Sequence, residues 1–293
     1  MSTALLRAFG AYFLWGIFPL YFIFLADVAP LEVLAHRVVW AALLLLIIMA
    51  SMGYLGQLRQ LINSKVELAW LALASVMLSI NWGTYIYAIN TGHTLEASLG
   101  YFINPLVNIM LAMLFLGERM NACQWSAIAL AATGIAIQLV QLGSLPIISI
   151  ALAFSWGVYG LLKKKVRLPA LTALTTETLV ILPLAIAYLC YLADQASLSF
   201  ASGTRYDWLL PLSGVVTVFP LLLFGSAAKQ LTYITLSFMQ YMTPTIVFVI
   251  AVFVFGETLV AAKLLTFGFI WLGLALFSFD SVYSYRKKHR LND

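Results

Sequence analysis

Apolar residues in this chain come in long runs. Ten mostly apolar stretches of 18 or more residues lie near Leu6–Ala26, Leu31–Ala50, Leu68–Ile89, Leu95–Leu116, Gln124–Leu142, Leu145–Leu162, Leu171–Leu192, Trp208–Ala228, Thr232–Phe255 and Val260–Val282, with short polar segments between them. Strands of a transmembrane barrel are about ten residues long and alternate strictly, whereas a run such as Ala41–Ile48 is continuously apolar. The pattern predicts an all-α integral membrane protein with ten transmembrane helices. The first run contains Trp15 and Pro19 and has no small-x-small site before Asp27. It is longer than a signal-peptide core and is expected to remain as a span.

A long-period comparison organises these spans. A shift of 139 overlays Ser98 on Ser237, Asn104-Pro105 on Thr243-Pro244, Gly117-Glu118 on Gly256-Glu257 and Gly134 on Gly273. A shift of 141 overlays Phe13-x-Trp15-Gly16 on Phe154-x-Trp156-Gly157, and Pro19 on Gly160. The chain reads as a duplication, with one five-helix unit over 1–142, a second over 143–285 and a basic tail over 286–293. Five is an odd number, so the second unit is expected to enter the membrane upside down, the inverted-repeat construction of alternating-access carriers.

Composition agrees with this picture and adds orientation. Of 293 residues, 63% are hydrophobic and 9% charged, with a mean hydropathy of +0.99. That excludes an ordinary soluble enzyme, a secreted module and a disordered chain. Thirteen of the 16 Lys and Arg residues, from Arg7 through Lys163–Arg167 to Arg286–Arg290, fall on one side of the ten-span arrangement, against Arg205 and Lys263 on the other. The bias places both termini in the cytoplasm. The basic clusters then read as topology anchors near anionic lipid headgroups, with no role for nucleic acid.

Arg37 remains inside span two, beside His36. A shift of 140 overlays Arg37 on Glu177, an acid with no basic residue in its own span. Ionisable groups at membrane depth are candidates for gating or proton coupling, and so His36, Arg37, Glu96 and Glu177 are singled out; local pairing, as between Glu32 and His36, or snorkelling to an interface is the alternative. Pro19, Pro105 and Pro244 are expected to kink their helices. Glu96, Asn104 and Asn108 share an arc of about 120° on span four, and Gln240 and Tyr241 lie in span nine. With Asn81, Trp82 and Tyr85 of span three, these make Asn81, Trp82, Tyr85, Glu96, Asn104, Gln240 and Tyr241 the candidates for a substrate pathway, with satisfied helix packing as the competing reading. The Trp15-Gly16 and Trp156-Gly157 pairs read as close helix crossings, and the Gly-Glu pairs as helix ends.

No phosphate loop, zinc-protease, nucleophile-elbow or Cys/His pattern is present. ATP, metals and cofactors are therefore not expected. Cys123 and Cys190 are far apart, and neither a disulfide nor a metal site is inferred. The paired Trp-Gly sets and the two prolines each followed twelve residues later by Gly-Glu resemble EamA domains of the drug/metabolite transporter superfamily. Ala35-His36-Arg37-Val38-Val39-Trp40, Asn81-Trp82, Gly100 to Leu106 and Thr176-Glu177-Thr178 resemble its RarD branch, linked by name to chloramphenicol sensitivity. The resemblance implies a ten-helix bacterial inner-membrane permease whose central cavity is lined by helices one, three, four, six, eight and nine. Its expected cargo is a small molecule, a metabolite or drug of unidentified chemistry, moved by alternating access, with proton coupling as an added hypothesis. A passive channel and an intramembrane enzyme acting on lipid-linked substrates are the alternatives from other classes, the first weakened by the lack of charged rings and the second by the lack of a nucleophile or metal site.

Overall fold

Backbone inside a membrane must satisfy its own hydrogen bonds, and every long element here is helical. The computed structural model describes residues 3–61, 64–142, 146–256 and 261–290. Its spans are α1 (Thr3–Phe22, extended by a 3-10 turn Ile23–Leu25), α2 (Pro30–Ser51), α3 (Lys65–Asn90), α4 (Thr94–Leu116), α5 (Ala122–Leu142), α6 (Ile147–Lys165), α7 (Ala170–Asp194), α8 (Tyr206–Ala228), α9 in two halves (Tyr233–Gln240 and Met242–Phe253) and α10 (Ala261–Arg290). All ten contain a segment long and apolar enough to cross a membrane. A short helix, Leu55–Leu61, lies between α2 and α3. The seam placed after residue 142 runs into residues 143–145, which with Glu257 and residues 291–293 lie outside the described residues, as do the side chains of Lys263 and the basic cluster at 286–290.

Local chemistry sets the helix ends. Pro30 opens α2 at a position where a missing N–H costs nothing. Gly117 and Gly256, matched by the 139-residue shift, both take the left-handed conformation (φ +66° and +67°) just past α4 and α9. There a side chain would be strained and glycine is not. The three prolines differ in effect. Both α1 and α4 continue unbroken through Pro19 and Pro105, whereas α9 is interrupted at Tyr241, three residues before Pro244. Each proline removes one helical hydrogen bond. Around Pro105, however, α4 is clamped to α6, with Gly100 against Leu152 and Ser149 and Asn108 against Gly157.

Packing pairs the two halves. A Cβ on Gly16 of α1 would clash with Ile246 of α9, and one on Gly157 of α6 would meet Val107 of α4; Val107 and Ile246 are themselves 139 apart. Gly134 of α5 lies against the Thr266 carbonyl of α10, and Gly273 of α10 against the Ala127 carbonyl of α5, again 139 apart. Glycines that repeat in sequence therefore occupy repeated contacts, where their lack of a side chain lets backbones approach. Helices α2, α3, α7 and α8 enclose a central pocket, and α1 and α6 pack beside it against α8 and α3 respectively.

Two stability predictions follow from this geometry. A Cβ on Gly214 would sit 2.5 Å from the Trp40 carbonyl carbon of α2. Gly214→Ala should therefore destabilise by about 1–3 kcal/mol, while Gly83→Ala, with nothing within 4 Å, should be neutral or up to about 1 kcal/mol stabilising; thermal unfolding in detergent compares them. The Glu118 carboxylate accepts from the N–H groups of Tyr233 (2.7 Å) and Ile234 (2.9 Å), capping α9 from the end of α4. Glu118→Ala should cost about 1–3 kcal/mol in the same assay, with Glu118→Gln losing less.

Candidate functional site

Seven residues past Pro30, roughly 10 Å along α2, Arg37 turns into the centre of the bundle. Its Nε–H donates to Thr217 Oγ1 of α8 at 3.0 Å. The guanidinium lies 4.9 Å from the Trp82 ring centroid of α3 and 5.4 Å from that of Phe22 of α1. The hydroxyls of Tyr21, Tyr85 and Tyr101 are also within its electrostatic range. Among the described residues, no carboxylate stands within ion-pairing distance of it. The Tyr85 and Tyr101 rings are 6.1 Å apart and are 38% and 44% exposed. Besides Arg37, Trp82 and Thr217, the pocket lining includes Leu78, Leu174 and Leu221. It has room for about one water molecule.

Five rings stand beside this pocket. Trp15 of α1 and Trp156 of α6 meet edge to face at 5.2 Å, and both lie 5.6 Å from Phe224 of α8. Tyr12 packs on Trp15 at 5.6 Å and Tyr159 on Trp156 at 5.5 Å. Such geometries contribute roughly 0.5–1.5 kcal/mol per pair beyond buried area. The neighbouring glycines do make the close helix crossings that the sequence suggests, but the two indoles turn to each other across the axis of the bundle. Trp156 Nε1 is buried with no partner among the described residues.

Glu177 of α7, next to the pocket-lining Thr178, is wholly buried. Lys163 Nζ donates to both its oxygens at 2.9 and 3.1 Å, and the Tyr159 hydroxyl donates to Oε2 at 3.2 Å. Ser75 of α3 donates to the Glu177 carbonyl at 3.0 Å, tying the pair to a third helix. Here the structure corrects two readings of the sequence. Glu177 does have a basic partner, supplied by α6, and Lys163 is no loop anchor, being only 2% exposed. The α6–α7 connection is only four residues, so the last turn of α6 faces the second turn of α7. The 141-residue shift overlays Phe22 on Lys163. Arg37 and Glu177 thus occupy matched positions, yet the acid has a counter-charge from the first helix of its half while Arg37 has a phenyl ring there.

The remaining candidates divide. Asn81 donates through Nδ2 to the Leu152 carbonyl (2.9 Å) and to Ser155 Oγ (3.1 Å), fastening α3 to α6. Glu96 does not join Asn104 on a midplane stripe: its carboxylate accepts from the Ile148 N–H at 3.3 Å and its carbonyl accepts from Ser149 Oγ, at the start of α6. Gln240 accepts from Asn108 at 2.8 Å, joining α9 to α4, and the Tyr233 hydroxyl lies 2.7 Å from the Gly157 carbonyl and 3.1 Å from Asn108 Oδ1. Asn104 Oδ1 and the Tyr241 hydroxyl are buried without partners among the described residues. Tyr241 packs with Leu99, Phe102, Ile135 and Phe267, between α4, α5 and α10 and apart from the Arg37 pocket. His36 Nδ1 accepts from Trp40 at 3.2 Å, with Glu32 at 3.9 Å from Nε2. Glu32 itself holds the Ser199 N–H (2.6 Å) and hydroxyl (2.9 Å) in the α7–α8 connection. Of the expected set, Arg37, Trp82 and Tyr85 converge; Thr217, Phe22 and Tyr101 complete the group, Tyr101 lying inside the Gly100–Leu106 motif without being singled out and the other two outside any motif, although Thr217 is a polar residue in the middle of an apolar span.

Comparison with known proteins supports the same architecture. The EamA-like transporter family model matches residues 2–140. "Protein RarD" of Salmonella typhi is 45% identical over 284 residues, covering 97% of each chain. An "Uncharacterized transporter" of Vibrio cholerae serotype O1 is 47% identical over 286 residues, covering 96% of this chain and 93% of that one. The "Chloramphenicol-sensitive protein RarD" of Pseudomonas aeruginosa is 30% identical over 293 residues, covering 99% and 98%. A solved crystal structure superposes with a TM-score of 0.73 at 20% identity over 94% of this chain and 97% of its own, which speaks to fold alone. With ten membrane-spanning helices and full-length relatives of this kind, the chain is a multi-pass bacterial inner-membrane protein and belongs to the RarD-like family of EamA drug/metabolite transporters.

Proposed function

We propose that this protein is a secondary active transporter, moving a small metabolite or drug by alternating access as two inverted five-helix halves, 1–142 and 143–285, rock about the central pocket. The observation that carries the reading is the pocket itself. It lies between helices of both halves, holds an unpaired cation, and adjoins a five-ring aromatic plug from α1, α6 and α8. A continuous pore would favour a channel, and the plug favours a carrier that must rearrange to release its cargo. The 13-to-2 charge bias supports cytoplasmic termini. The transporter names of the relatives and the lack of a motif for covalent chemistry favour transport over catalysis.

For energy coupling, Glu177 is the acid best suited to exchange a proton. Glu96 and Glu32 are spent on backbone N–H groups near helix ends, whereas Glu177 shares a dry site with Lys163 and Tyr159. Protonating Glu177 would weaken the contact that holds α6 to α7, so a proton could bias one arrangement of the second half.

Reconstituted vesicles test the carrier. A panel of amino acids, metabolites and drugs should include compounds taken up above empty vesicles and capable of counterflow; no flux across the whole panel would reject it. Glu177→Gln alone should destabilise by about 3–5 kcal/mol, because Lys163 is left buried without its counter-charge. The double variant Lys163→Met/Glu177→Leu should regain most of that loss. Measured in that double variant, uptake should lose its response to a pH gradient while counterflow persists, and an undiminished response would remove Glu177 from coupling.

A further inference from the structure

The charged groups deep in the bundle are few, which makes the state of Arg37 informative. A buried cation is ordinarily neutralised by an acid, and the matched position in the other half shows this arrangement in full, with Glu177 held by Lys163 at 2.9 Å. Arg37 has no such partner among the described residues. Glu32, five residues before it, is engaged by Ser199, and the residue matched to Lys163 is Phe22. Only the Nε edge of the guanidinium has a hydrogen-bond partner, Thr217 Oγ1. Its neighbours are otherwise aromatic faces, which tolerate a cation and cannot neutralise it.

A guanidinium held on one edge by a hydroxyl and steadied over an indole offers its other N–H groups in a planar fork. That fork matches a carboxylate oxygen pair in shape and charge. Trp82 supplies a flat wall beside it, and Tyr85, one turn further along α3, stacks edge to face with Tyr101. A small anion with an aromatic or flat apolar body would complete both halves of this environment.

We propose that Arg37, clamped between Thr217 and Trp82, is the anion-recognition point of the central pocket, and that the transported substrates are aromatic or planar apolar monocarboxylates. The assignment names the cargo class of the carrier proposed above and rests on that reading for its transport meaning, but binding is independent of it. The pocket in its present form has room for about one water, so the aromatic body requires α3 and α8 to separate. Substrate entry and conformational opening are then one event, and the carboxylate supplies the charge that Arg37 lacks.

Equilibrium binding to the full-length purified protein in detergent, followed by tryptophan fluorescence and thermal stabilisation, tests the site with three matched sets: benzoate, indole-3-acetate and phenylacetate, each against its amide and its amine. At least one carboxylate should bind saturably and at least tenfold tighter than its amide, with the amine weaker still. Arg37→Gln should bring that carboxylate down to the level of its amide, and Arg37→Lys should retain a part. Ligand-free Arg37→Gln should melt only slightly lower than the native protein, because it loses the Thr217 and ring contacts but no ion pair; a drop as large as that of Glu177→Gln would mean a structural arginine and would overturn the assignment. It is likewise overturned if no carboxylate outbinds its amide, if Arg37→Gln binds as the native protein does, or if chloride and inorganic phosphate match the aromatic acids. Carboxylate binding without flux in sealed vesicles would uphold the site and reject the carrier, so the two failures can be told apart.

Discussion

A hydrocarbon interior offers no hydrogen-bond partner, and the placement of the acids and bases of this protein follows from that constraint. Three carboxylates illustrate it. Glu118 caps the start of α9, Glu96 reaches the first turn of α6, and Glu32 holds the backbone and hydroxyl of Ser199. Each lies near a helix end, where free N–H groups attract a negative charge, and each joins segments distant in sequence. Of the two acids that the sequence marks as proton carriers, Glu96 is engaged as a tie between elements. What remains deep in the bundle is the Lys163–Glu177 pair and the solitary Arg37.

Positions that recur along the sequence supply the frame, and positions that differ between the two overlaid stretches supply the chemistry. Gly134 and Gly273, Gly16 and Gly157, and Gly117 and Gly256 recur in sequence and do the same work in both halves: two sets bring backbones together and the third ends helices. These positions tolerate little, because a Cβ would collide or the backbone would be strained. Positions facing the centre are freer. There Arg37 is matched with Glu177, Phe22 with Lys163, and a continuous α4 with an interrupted α9. The centre therefore presents two unlike sites, an arginine with no acid among the described residues and an acid held by a lysine. In the carrier reading, that difference lets one site recognise cargo and the other respond to a proton.

How far the sequence carried the reading depends on the range of each interaction. The ten spans were legible because lipid imposes length and apolarity on each segment separately, and the observed helices fall where the apolar runs predict them. The repeat and the helix-ending glycines were legible because they recur at a fixed offset. Arg37, Trp82 and Tyr85 could be nominated from depth alone. Glu96 was misread because a helical-wheel arc gives direction around an axis and ignores height along it; its position in the first turn of α4 brings it to the start of α6. Glu177 was thought to lack a base because only its own span was considered, while the base comes from the adjoining helix.

Sequence by itself determined the solvent this chain folds in, the number of its helices, their family and the residues too polar to be idle there. These follow from transfer free energies and repeat spacing, which act locally or at one constant separation. Only the tertiary structure decided which polar groups are partners. It joined Lys163 to Glu177 and Asn108 to Gln240, turned Trp15 onto Trp156, and left Arg37 with Thr217, Phe22 and Trp82 and, among the described residues, no acid. Pairing depends on distances between helices far apart in the chain, and those distances are fixed only when all ten pack together.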